Sequence, residues 1–313
     1  MKVIYIDSSP FIEFETVATI GFFDGVHQGH RYLINQLKNH TQEKGLKTAV
    51  ITFPVHPRKV LQDNYQPHLL NTFEERIEQL STLGIDYCYV IDFTPKFAET
   101  TAKDFMQTIL LEQLRVKELL IGYDHRFGKG RLNEYKHYQE YGKICGIKVH
   151  QAEELQCNEK HVSSTAIRHL LSEGKVEEAA DYLSYNYSLQ GKVIEGDKLG
   201  RTIGFPTANI ELNDKNKIVP KNGVYAVWTE IEGKQCSGMA YIGKRPTILS
   251  EGEKRIEVHI FNFSQDIYGK EIRIEFVKFI RQDIRFSEQE KLQIQLGKDK
   301  IESINYFQHK IKS

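Results

Sequence analysis

Cysteine is scarce in this 313-residue chain, and Cys88, Cys145, Cys157 and Cys236 lie far apart with no C-x-x-C pair. That spacing excludes a disulfide framework and a cysteine zinc site, and it predicts a reducing, cytoplasmic home. No window approaches eighteen apolar residues, and the opening MKVIYIDSSPF has no signal-type apolar region, so neither export nor a membrane span is expected. Net charge is also lacking, because 42 Lys and Arg offset 42 Asp and Glu. A surface so balanced has no nonspecific electrostatic hold on nucleic acid or an anionic membrane. Pro- or Ser-rich tracts are absent too. With 40% hydrophobic and 27% charged residues the chain has ordinary globular composition, and its length predicts two domains.

Two rhythms divide it. From residue 16 to about 150, the apolar runs 17–20, 48–53, 87–92, 118–122 and 147–150 read as buried strands. They alternate with helical spacing over 30–40, 72–84, 101–114 and 133–143. Thr101 with Asp104 resembles a capping box, and Gly84 is placed to close the helix before it. This alternation predicts an α/β unit with a parallel sheet covered on both faces and ligands at the carboxyl ends of its strands. After a helix over 163–183, strands over 223–231, 236–243, 255–263 and 270–280 follow one another without helices, predicting an antiparallel barrel or sandwich. In that set Ile256, Val258 and Ile260 share one face, and Glu257, His259 and Phe261 the other, as a half-buried strand requires. Ser287 three before Glu290 starts a C-terminal helix. The boundary falls near 184, giving domains 1–183 and 184–313.

The densest chemical signal is GFFDGVHQGH (21–30), a strand-to-helix turn. Gly21, Phe22, Asp24, Gly25 and Gly29 belong to a loop whose glycines allow close approach to a ligand, and the free amides of a helix start suit an anion. His27 and His30 can both aim at phosphoryl oxygens. A plain turn with two surface histidines, or an H-x-x-H metal pair, are the alternatives. GYDHRFGKGR (122–131) is not a Walker A loop, since Lys129 precedes glycine, and no G-x-G-x-x-G follows a strand. In SSTAIR (163–168), Ser163 and Ser164 could simply cap a helix; beside the first loop, they and Arg168 read better as a second phosphate contact. GDKLGRTIGFPTAN (196–209) joins Gly196, Gly200 and Gly204 to Arg201. It ends on Thr207 and Asn209, whose oxygens could enter a Mg²⁺-phosphate shell. Glu257 is the candidate base, unless it is only a solvated strand charge.

Together GFFDGVHQGH, GYDHRFGKG, SSTAIR, GRTIGFPTAN, IGKRPT (242–247) and RIEVHIF, in this order, resemble the prokaryotic bifunctional riboflavin kinase/FAD synthetases over essentially the whole chain. The resemblance implies an N-terminal Rossmann-like FMN adenylyltransferase, and a riboflavin kinase built on a six-stranded barrel with a terminal helix. Riboflavin, FMN and ATP would be the substrates, Mg²⁺ the cofactor, and weak self-association is compatible with it. It assigns His27 and His30 to the ATP phosphates, and Asp24, Gly25 and Gly29 to shaping their loop. Ser163, Ser164 and Arg168 make a second phosphate contact, and Asp124 belongs to the flavin and nucleotide loop. Thr207 and Asn209 hold Mg-ATP, and Glu257 is the kinase base. His125 stands where the family pattern has an aromatic. A protein that holds FMN without turnover is the rival from another class. A tRNA-linked role lacks a K-M-S-K-S element.

Overall fold

The computed structural model describes residues 1–6, 12–41, 45–62, 64–131, 134–155, 162–196, 199–244 and 254–311. Cys157, Asp197, Lys198 and the Arg245–Thr247 end of IGKRPT lie outside the described residues. The chain separates into two compact units, Met1–Ser164 and Thr165–Ser313.

The first unit is a six-stranded sheet, parallel throughout: β1 (Lys2–Ile6), β2 (Thr16–Ile20), β3 (Lys47–Thr52), β4 (Tyr87–Ile91), β5 (Val116–Ile121) and β6 (Lys148–Gln151), in the order β1-β4-β3-β2-β5-β6. Every residue of β2 is buried, as a central strand covered on both faces requires. β1 is an edge strand with Lys2 and Tyr5 exposed, and it is not among the strands read from the sequence although Val3 to Ile6 is an unbroken apolar run. The order reverses at β2, which is flanked by β3 on one side and β5 on the other. A crevice opens at the carboxyl end of such a strand, and the chain leaves β2 there into the 21–30 segment.

Helices form where the spacing predicts them, at Gln28–Asn39, Phe73–Ser81 and Tyr135–Cys145. Thr101 caps as expected, accepting from the Asp104 amide at 3.1 Å, but the turn that follows widens into a π-helix over Phe105–Gln113. Gly84 does not close the helix before it. That helix ends at Ser81 with Thr82 as its C-cap, and Gly84 (φ +70°) makes the later turn toward β4.

The second unit is a closed barrel of six antiparallel strands: β7 (Ser188–Ile194), β8 (Ala208–Leu212), β9 (Gly223–Ile231), β10 (Lys234–Lys244), β11 (Lys254–Ile260) and β12 (Glu271–Gln282), ordered β10-β11-β8-β7-β12-β9 and back to β10. The helices Ser164–Glu173 and Val176–Leu183 precede it. Leu171 accepts from the Lys221 amide at 3.0 Å, and Glu177 from that of Phe279 at 3.4 Å. β11 departs from the half-buried pattern, because His259 and Phe261 are buried along with Ile256, Val258 and Ile260. The cause is the terminal helix Gln289–Ile311, whose Phe307 packs with Phe261, Val224, Met239 and Val277 over the barrel's outer surface.

That helix is fastened by a buried ion pair. Arg281 holds Asp299 in a fork, with Nε at 2.9 Å from Oδ1 and Nη2 at 2.8 Å from Oδ2, while Gln295 adds a 2.8 Å bond. Removing one partner of such a pair strands the other charge. Asp299→Ala should therefore destabilise the barrel by about 3 kcal/mol. Urea unfolding followed through Trp228, the single tryptophan, 4.5 Å from the Phe307 ring, reads this directly. An unchanged midpoint would show that the helix is held by its apolar face alone.

Candidate active sites

At the end of β2 the backbone turns under strain. Phe23 (φ +56°) and Val26 (φ +39°) occupy left-handed conformations that side chains rarely adopt, and Gly25 (φ +84°) does so without penalty. Such strain persists only where neighbours enforce it. Here the buried Asp24 carboxylate accepts the Leu70 amide at 3.0 Å and the Asn71 amide at 3.2 Å. The Ser164 hydroxyl donates to the Asp24 carbonyl at 2.9 Å. Two segments 140 residues apart thus meet at one residue. Phe22 lies against the guanidinium of Arg76 at 3.9 Å. Arg76 is almost fully buried and reaches the Phe53 carbonyl; burial pulls it down to about 10 while Asp24 pulls it back up, so it stays charged.

His27 is the N-cap of the helix Gln28–Asn39, and its ring stacks on His30 with centroids 3.7 Å apart. Gly29 makes this possible: a side chain there would press on the His27 ring at 3.2 Å. Gly21 sits as tightly against Phe23. Burial, with His27, His125 and Arg76 close by, holds His30 well below the ordinary imidazole range. It is therefore neutral near pH 7. His125, the residue that departs from the family pattern, is thus a neighbour of His30.

His125 also lines a cavity of about 320 Å³ whose walls include Phe53, Phe93, Phe97, Phe105 and Phe127, with Arg58 and Arg126. An adjoining hollow of about 370 Å³ shares His125 and Arg126 and includes the exposed Asp124 with Tyr123 and Tyr135. The sequence reading missed the aromatic cavity. Ser163 immediately precedes the helix that begins at Ser164, and Arg168 is half-buried one turn into it.

In the barrel, β11 and β8 pair with Glu257 opposite Asn209. Thr207 donates to Glu257 Oε2 at 2.9 Å, and Arg255 Nε lies 2.8 Å from Glu257 Oε1 and 2.9 Å from Asn209 Oδ1. His259 Nδ1 meets the Pro206 carbonyl at 2.8 Å. One strand face thus fixes Asn209, Thr207 and Pro206 in turn. Arg255 was missed, although its position two residues before Glu257 puts it on the same face. A side chain at Gly196 would collide with Asn209, and one at Gly200 with the Phe205 carbonyl, while Gly204 turns at φ +81°. Arg201 lies 5.9 Å over the Tyr268 ring; with Thr207, Val258, Phe263 and Asp266 the two line a cavity of about 530 Å³.

Two family models match the chain, one described as FAD synthetase over residues 11–166 and one as riboflavin kinase over 183–307. Relatives named bifunctional riboflavin kinase/FMN adenylyltransferase align almost end to end. That of Listeria monocytogenes is 38% identical, covering 98% of each chain. That of Bacillus subtilis is 39% identical over 94% of this chain and 93% of its own, and that of Escherichia coli 35% over 93% and 92%. A solved Streptococcus pneumoniae structure, named as a macrolide-efflux protein, superposes with a TM-score of 0.88 at 30% identity over 97% of this chain and 99% of its own. Among the described residues here, no helix is long and apolar enough to cross a membrane. The FAD synthetase match falls on the parallel-sheet unit and the riboflavin kinase match on the barrel, and with relatives 35–39% identical over 93–98% of its length the chain belongs to the bifunctional riboflavin kinase/FMN adenylyltransferase family.

Proposed function

We propose that the family's two activities run here on separate sets of residues: the barrel phosphorylates riboflavin to FMN, and the parallel-sheet unit joins FMN to AMP with release of pyrophosphate. The boundary we assign to these functions is 183/184. In the first unit, His27 and His30 donate to the ATP phosphates as charge shifts onto the leaving pyrophosphate. The amides of the helix start, with Gly21, Gly25 and Gly29, leave room for those oxygens. Ser163, Ser164 and Arg168 make the second phosphate contact. The flavin ring lies in the aromatic cavity, with Asp124 at its side and Arg58 and Arg126 supplying charge for the FMN phosphate. The attacking group is already an anion, so no base is needed. The observation that carries this reading is the meeting of His27 and His30 with His125, which lines an aromatic cavity, where the strand order reverses.

The kinase differs in attacking with an alcohol, and Glu257 takes its proton. Thr207 and Arg255 hold that carboxylate in place, and Gly196, Gly200, Arg201 and Gly204 form the loop over the ATP phosphates. The donors here are oxygens from Thr207 and Asn209, a set that suits a hard cation. Thr207 and Asn209 would hold Mg²⁺, which supplies charge neutralisation to the transferred phosphoryl group. Burial pushes the Cys88 thiol up to about 12, Cys145 is buried too, and both are free, which fits a reducing cytoplasm.

The cavity assignment is tested with Phe97→Ala, a half-buried wall residue. Loss of one stacking contact should raise KM for FMN about tenfold or more in the adenylyl reaction and leave riboflavin phosphorylation unchanged. An unchanged KM for FMN would put the flavin elsewhere.

A further inference from the structure

Away from the adenylyl-transfer centre, the parallel-sheet unit brings together His40, Glu118 and His150, whose ligand atoms lie within 4.8 Å of one another. β5 and β6 pair with Glu118 opposite Lys148 and Leu120 opposite His150. Glu118 and His150 therefore sit two residues apart on the same face of neighbouring strands. His40 reaches them as the C-cap of the helix Gln28–Asn39. The Glu118 side chain is 7% exposed, and its Oε2 lies 3.0 Å from His150 Nε2 and 3.5 Å from His40 Nδ1.

These separations match a metal's coordination sphere. Zinc bonds of 2.0–2.1 Å at a tetrahedral centre place neighbouring ligand atoms about 3.3 Å apart. Two imidazoles and one carboxylate suit zinc and similar transition metals, whereas Mg²⁺ takes oxygen ligands and would not select this set. We propose that His40, Glu118 and His150 bind one divalent transition metal of the zinc class, with water in the fourth position, and so clip the end of the helix to β5 and β6. The helix is 12 residues long. At about 1.5 Å per residue its far end stands roughly 18 Å from His27 at its start, so this site is distinct from the adenylyl-transfer centre.

The test uses the full chain, stripped by a chelator and titrated with Zn²⁺ against a chromophoric competitor in Mg²⁺ buffer without nucleotide. One Zn²⁺ per chain should bind, His40→Ala and His150→Ala should each weaken it about tenfold or more, and His30→Ala should leave it unchanged. No uptake, or an affinity indifferent to both His40 and His150, would overturn the proposal and leave a carboxylate hydrogen-bonded to imidazoles. Loss of binding in His30→Ala instead would overturn it in favour of the other histidine cluster. Co²⁺ added to the unaltered chain gives a reading independent of any variant's folding. The intense visible bands of four-coordinate cobalt are expected, and the weak spectrum of the octahedral ion would contradict the site.

Discussion

Replacing Glu257 with glutamine should cut phosphorylation of riboflavin by about 10²- to 10⁴-fold, the usual contribution of a general base. Glutamine keeps the length of the side chain, so Thr207 can still donate to its carbonyl oxygen. What is lost is the basicity and the charge facing Arg255, which lies 2.8 Å away. Binding of riboflavin and Mg-ATP should persist, because Thr207, Asn209 and the loop from Gly196 to Gly204 are untouched. FAD formation from supplied FMN should run at the original rate, since that reaction begins from an anion and uses other residues. Kinase turnover close to that of the unaltered chain would remove Glu257 from the mechanism and return it to a polar residue holding Thr207 and Arg255.

His30→Ala reverses the pattern. FAD formation from FMN should fall about 10²- to 10³-fold, the cost of losing a preorganised donor to developing charge, while FMN formation continues. Burial holds the imidazole neutral before substrate arrives, so its N–H is available without the desolvation cost of a buried cation. His27→Ala should act similarly, because the two rings stack at 3.7 Å and each positions the other. Rates measured separately from riboflavin and from FMN on one preparation give the answer. A parallel fall in both activities with the fold intact would contradict separate sites.

The contrast between these variants follows from features that differ in how openly the sequence carries them. β2 to β5 are readable because strands largely buried on both faces leave apolar runs, and His27, His30 and Glu257 because they stand inside short motifs. β7 escapes because its alternation is carried by Leu189, Gly191 and Val193, with glycine in the middle. β8 is five residues long and begins on the last two of a segment read for its chemistry. The aromatic cavity draws Phe53, Phe93, Phe97, Phe105 and Phe127 from separate stretches of chain, each of which alone reads as core. The tether that fixes Asp24 comes from backbone amides 46 and 47 residues away, which no side-chain pattern announces. Arg76 is buried against the expectation for its type, and the carbonyl it reaches, the ring of Phe22 and the charge of Asp24 explain it.

The central claim is that one chain performs both transfers in sequence. The direct measurement is a time course of flavin products from riboflavin, ATP and Mg²⁺ with the purified full-length chain. FMN should rise first and FAD should follow at its expense, with pyrophosphate released in step with FAD. Flavin that stays bound as unaltered riboflavin or FMN, with no ATP consumed, would contradict the account and leave a flavin-binding protein in its place.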